Sequence, residues 1–161
     1  MRRIRRVYNG DHPLAASQER RGPRTGTSNV QTVQEIYAAF GRGDVPAILA
    51  HLADDVDWEW GRADIGVPWL QPRRGREAVG GFFESLAALE ITKFRPTHFM
   101  QSDDGSIVIA LIDLDGKVKA TGKPIADAEE VHVWHFGPDG KVTRFRHGVD
   151  THAHYLAQKG S

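Results

Sequence analysis

At 161 residues the chain is long enough for one domain with a real core, and short for two. It has no cysteine, which excludes disulfides, cysteine-ligated iron–sulfur clusters and thiol catalysis, and no apolar run reaches the roughly 20 residues of a membrane span. A soluble, cytoplasmic protein with no membrane partner is expected. The formal net charge of zero hides an asymmetry: residues 1–28 carry seven arginines against Asp11 and Glu19, a net of +5, and the remaining 14 basic and 19 acidic residues give −5. A mildly acidic remainder without a basic stripe offers no electrostatic footprint for nucleic acid.

Residues 1–28 have few large apolar residues and no periodicity, and read as a disordered Arg-rich extension. No apolar segment follows the first arginines, so a secretory signal is not expected. The domain is placed at 29–159. Ser28 or Asn29 can cap a helix in which Val30, Val33, Ile36, Tyr37 and Phe40 share a face, and Gly41 to Gly43 stops it. Asp44 caps a second short helix with Pro46 in its first turn. Asp54 and Asp55 are expected to end that helix, with a strand starting at Val56 that puts Trp58 and Trp60 on one face and Asp57 and Glu59, solvated, on the other.

Glycines and prolines make residues 61–74 a loop, read as a flap that presents Trp69. Helical periodicity returns over 76–89, with Val79, Phe82, Phe83, Leu86 and Leu89 on the buried side. Strands follow at 91–101 and 106–114, and a turn at Gly116 leads to a strand over 117–121. The densest stretch is 129–150, EEVHVWHFGPDGKVTRFRHGVD: two β-rich runs joined by Gly-Pro-Asp-Gly, which is hairpin chemistry. A last helical turn is expected over 152–158. Helices segregated from strands predict an α+β fold and exclude an alternating parallel one.

The YAAFGRGD run at 37–44, LADDVDW at 52–58, RGREAV at 74–79 and VHVWHF…DGKVTRFRHGVDT at 131–151 together resemble SnoaL-like proteins. These form the polyketide-cyclase and ketosteroid-isomerase-like branch of the nuclear transport factor 2-like superfamily. The resemblance implies a cone: a curved, mostly antiparallel sheet wrapped on three helices around an apolar pocket, often in a homodimer. It does not imply one reaction. What it leaves as the expected function is a cofactor-independent acid/base enzyme, of isomerase, cyclase or hydrolase type, on a small cyclic or polyketide-like compound. The alternative is a noncatalytic binding module.

Several residues are candidates for that site. An apolar pocket walled by Trp58, Trp60 and Trp134 would strip water from a carboxylate and raise its pKa into the range of a useful base. Asp150 stands where SnoaL-like cyclases look to carry an acid/base aspartate, and Asp is also a favoured helix cap. His132 should face the same way as Trp134 and could donate to a carbonyl or orient the carboxylate. Of Arg146 and His147, which alternate, one should point inward, and Arg146 could stabilise an enolate or pair with Glu129 or Glu130. Asp113 lies in the pocket if the face carrying Ile107, Ile109 and Leu111 is concave. Tyr37 could serve as the isomerase-type tyrosine or pack in the core. His135, His152 and His154 are expected outside. No histidine spacing matches a known metal motif and there is no phosphate loop, so neither metal nor cofactor is expected.

Overall fold

The structure, a computed structural model, describes residues 28–160. The Arg-rich extension lies outside the described residues except for Ser28, whose hydroxyl accepts from Gln31 N–H and caps helix α1 (Asn29–Gly41). Asp44 caps α2 (Val45–Ala50) by accepting from Ala47 N–H at 3.1 Å. Strand β1 (Leu52–Trp58) follows at once. It begins four residues earlier than the Asp54-Asp55 pair led one to expect, because Leu52 already pairs with Val142.

The loop after β1 holds one 3-10 turn (Pro68–Leu70) and the two-residue strand β2 (Arg73–Arg74). Helix α3 (Arg76–Ser85) and a 3-10 turn (Leu86–Ala88) precede three long strands, β3 (Leu89–Gln101), β4 (Ile107–Val118) and β5 (Pro124–Phe136). Strand β6 (Val142–Gly148) and helix α4 (Thr151–Lys159) complete the chain.

The strands form one six-stranded curved sheet in the order β2-β1-β6-β5-β4-β3. All neighbours are antiparallel except β1 and β6. This is the expected α+β architecture. The hairpin turn is also as expected, with Gly137 N–H donating to Lys141 O and Gly140 N–H to Gly137 O. Gly116 is not a turn. It sits inside β4 between Ile91 and Ile125, where a Cβ would come 2.6 Å from the backbone oxygen of Glu90. Glycine is there because two backbones crowd together.

The inner face of the sheet carries Val108, Ala110 and Ile112 from β4, His132, Trp134 and Phe136 from β5, and Val142, Phe145 and His147 from β6, all buried. Helices α1 and α3 close over it, bringing Ile36, Tyr37, Val79 and Phe82. Asp113 therefore lies on the outer face, where Arg95 and Lys93 pair with it. The concave side is the one opposite to Ile107, Ile109 and Leu111. Among the described residues no helix is long and apolar enough to cross a membrane.

Candidate functional site

Between the helices and the sheet is a mainly apolar, partly open cavity, about 370 Å3 of empty space when its open mouth is counted. Phe40, Phe82, Phe83, Phe94 and Phe145 supply most of its wall, Trp58 and Trp134 add indoles, and the polar lining is Tyr37, His132 and His147. A larger hollow of about 860 Å3 among Asp55, Asp57, Arg74, His135 and Arg144 is polar and lies across the sheet. Small-molecule sites are mostly apolar with a few converging polar groups. The first hollow has that character.

The polar groups converge because β5 and β6 are in register: His132 is directly opposite His147, and their rings stand perpendicular with centroids 4.7 Å apart. His132 is held at both nitrogens, Nδ1 by the Tyr37 hydroxyl at 2.8 Å and Nε2 by Glu130 Oε1 at 3.0 Å. The protons can be assigned from the end of this chain. Trp134 Nε1 can only donate, and it donates to the Tyr37 oxygen at 3.0 Å. The Tyr37 O–H is then free to donate to His132 Nδ1, leaving the imidazole neutral with its proton on Nε2, donated to Glu130. Burial lowers the His132 pKa, in keeping with the neutral ring, although the Glu130 hydrogen bond opposes it. Burial likewise pushes the Tyr37 hydroxyl up, the Trp134 bond pulling it partly back, so the phenol keeps its proton.

His147 has a different partner. Its Nδ1 bonds Glu59 Oε1, and Arg62 Nε donates to the other carboxylate oxygen at 2.6 Å. Burial acts to lower the pKa of His147, but attraction to Glu59 and the bond between them outweigh it, and the net shift is upward. For Glu59, burial acts to raise the pKa and His147 with Arg62 overcome it, so the carboxylate stays ionised. Glu130 is also held below its usual value, burial being outweighed mainly by His132. Glu59 and Glu130 are held as anions, and they face the Arg62 guanidinium and His147, which keeps its proton more tightly than an ordinary imidazole. His147 Nε2 has no hydrogen bond among the described residues, its nearest carboxylate oxygen being Glu130 Oε1 at 3.9 Å.

A carboxylate that fixes one imidazole nitrogen of a cavity-lining histidine, while the other nitrogen has no hydrogen bond, is the arrangement of an oriented acid/base. Glu130, His132 and His147 also offer three ligand atoms within 4.8 Å of one another and could hold a metal ion. Both His132 nitrogens are already engaged, Nδ1 by the Tyr37 hydroxyl and Nε2 by Glu130, so ligation there would displace a hydrogen bond.

The family model for the SnoaL-like domain matches residues 33–145. The chain belongs to the SnoaL-like family. Among solved structures, this SnoaL-like chain is similar to an NTF2-like protein of unknown function from Burkholderia pseudomallei, at 29% identity and a TM-score of 0.68, covering 82% of this chain and 98% of that one. TerC, co-crystallised with polyporic acid, matches at 22% identity and a TM-score of 0.66 over 83% and 99% of the two chains. A Mycobacterium tuberculosis protein in complex with estradiol-17β-hemisuccinate matches at 22% identity and 0.62, over 79% and 98%. No curated protein matches the sequence.

The SnoaL-like site gathers Tyr37, Trp58, His132, Trp134 and His147 of the residues singled out from sequence. Others lie elsewhere. Asp150 is exposed, and its carboxylate accepts from the N–H groups of His152 and Ala153 as the cap of α4, so it is not the water-stripped acid expected. Arg146 is exposed and donates to Trp60 O at 3.3 Å, not to an acid or into the cavity. Trp60 is 41% exposed, beside His135 and under Arg144. Trp69 is buried but no flap over the cavity: its Nε1 donates to His154 Nδ1 at 2.9 Å, and His154 Nε2 bonds Asp127. His154, expected at the surface, is thereby buried.

Two acidic residues that hold the site's histidines were missed, Glu59 and Glu130. Alternation put Glu59 in solvent, yet it is 0% exposed, because its φ of 57° turns the chain over at the end of β1 and swaps the faces of Glu59 and Trp60. Glu130 shares the parity of His132 and Trp134, and that signal would have placed it inside.

Proposed function

We propose that the protein is a cofactor-independent acid/base enzyme acting on a small cyclic or polyketide-like compound, with His147 as the group that exchanges a proton with the substrate. Glu59 is its orienting partner: by binding Nδ1 it presents Nε2 to the cavity and stabilises the imidazolium. Arg62 keeps Glu59 ionised. His132, fixed by Tyr37 and Glu130, gives the neighbouring wall a neutral imidazole and lets Glu130 keep its charge beside His147. The observation that carries the reading is the buried Glu59–His147 pair opening into an aromatic cavity. Relatives bound to estradiol-17β-hemisuccinate and co-crystallised with polyporic acid support a ring-bearing ligand, as does a designed 17-OHP binder of the same fold.

A homodimer is part of the same reading. Ile109, Leu111, Val131 and Val133 are only half-buried on the outer sheet face, and Met100 beside them is 47% exposed. Sedimentation velocity that returns a monomer at all concentrations would remove that element.

The test is turnover on a panel of cyclic ketones and epoxides by the native protein and His147→Gln. Turnover by the native protein that falls about 100-fold or more in the variant is expected. Binding without turnover by the native protein would make this a noncatalytic carrier.

A further inference from the structure

His132 and His147 each have one ring nitrogen held from outside the pair: Tyr37 holds Nδ1 of His132 at 2.8 Å, and the Glu59 carboxylate holds Nδ1 of His147. The two remaining nitrogens approach the same oxygen, Glu130 Oε1, which lies 3.0 Å from His132 Nε2 and 3.9 Å from His147 Nε2. A histidine that binds a metal through one nitrogen characteristically gives the other to an oxygen, often a carboxylate, which fixes the ring and its tautomer. Both imidazoles are mounted in that way. Glu130 adds a second, independent sign. The residue is 5% exposed, and its Oε2 has no hydrogen-bond partner among the described residues. Buried carboxylate oxygens are seldom left without a donor or a cation.

We infer that Glu130, His132 and His147 form a binding site for a divalent first-row transition ion, with Zn2+ the best match. Two imidazoles and a carboxylate suit Zn2+ and its neighbours, whereas Mg2+ and Ca2+ prefer oxygen ligands throughout. Zinc bonds to nitrogen and oxygen near 2.1 Å set tetrahedral donors about 3.4 Å apart. The two separations from Glu130 Oε1 bracket that value, and all three ligand atoms lie within 4.8 Å of one another. Both histidine rings line the partly open cavity, which gives the ion its way in. Ligation replaces the His132 Nε2–H bond to Glu130. The ring proton moves to Nδ1, and the Tyr37 oxygen changes from donor to acceptor to receive it. The site goes beyond the acid/base reading and does not need it. His147 Nε2 cannot carry a proton and an ion together, so Zn2+ bound here silences the proton exchange proposed for His147.

The test titrates metal-stripped, 15N-labelled native protein with Zn2+. The Nε2 resonances of His132 and His147 should shift together, while that of exposed His152 stays in place. Calorimetry should show Zn2+ binding that excess Mg2+ does not displace. Glu59→Gln, which removes the outer charge behind His147, should weaken it about 10–100-fold, and Glu130→Gln at least as far. The native-protein spectra decide the matter even where a variant fails to fold. Shifts confined to surface histidines, or a Zn2+ affinity unchanged in folded Glu130→Gln, overturn the site. Zn2+ held by both rings while turnover continues leaves the site standing and removes His147 as the proton-exchanging group. Rings that shift in a protein with no turnover when metal-free support the site and overturn the acid/base reading alone.

Discussion

Glu59 and His147 meet across the parallel seam between β1 and β6, and the Glu59 carboxylate takes both the ring Nδ1 and the backbone N–H of the same histidine. The double contact fixes where the imidazole points as well as its charge. Glu59→Gln keeps the shape and removes the charge, so it should lower kcat less than His147→Gln does, while moving the histidine limb of the pH–rate profile to lower pH. His147→Gln should cost about 10²–10⁴-fold in kcat with little change in ligand affinity. Steady-state kinetics over a pH series checks both.

The same pair makes stability depend on pH. The folded pKa of His147 is raised, so folding takes up a proton there. Its contribution is complete below the unfolded value of about 6.5 and is lost as pH rises through the folded value. The charged groups around it are Glu59, Arg62 and Glu130, with His132 neutral. Urea unfolding from pH 5.5 to 9 should show native protein losing its advantage over His147→Gln as pH rises. A constant difference would contradict this.

Two glycines should respond in opposite directions. Ala at Gly116 would drive a Cβ into the backbone of Glu90, and about 1–3 kcal/mol of destabilisation is expected from such overpacking. Ala at Gly80, in α3 with nothing within 4 Å of the added carbon, should stabilise by about 0.5–1 kcal/mol through helix propensity. Chemical denaturation of both variants tests the pair.

Much of this was legible in the sequence because it was local. Ser28 and Asp44 announced two helix starts, the Asp-Gly turn announced the hairpin, and alternation placed His132 and Trp134 on one face. The failures come from single backbone choices with long-range effects. One left-handed residue, Glu59, exchanged its own face with that of Trp60, and its partner lies 88 positions away. In β4 both faces are apolar, so alternation carried no sign and left open the side on which Asp113 lies. Asp150 was ambiguous between cap and base, and an exposed carboxylate with two backbone donors is a cap.

His154 ties the last helix to the rest. Trp69 donates to its Nδ1 and Asp127 holds its Nε2, so α4, the loop before β2 and β5 share one polar clasp. Trp69→Phe should cost about 1 kcal/mol and leave His154 Nδ1 unpaired. Hydrogen exchange should then quicken in α4 with little change in β5 and β6.

The most direct measurement is a 15N NMR titration of the histidine rings, with His147 assigned by the His147→Gln variant. His147 should hold its proton to higher pH than an ordinary imidazole while His132 stays a neutral ring protonated on Nε2, and Glu59→Gln should release the His147 proton at lower pH. A His147 ring that loses its proton at or below the ordinary imidazole value of about 6.5, or one indifferent to the loss of the Glu59 charge, would contradict the oriented Glu59–His147 pair.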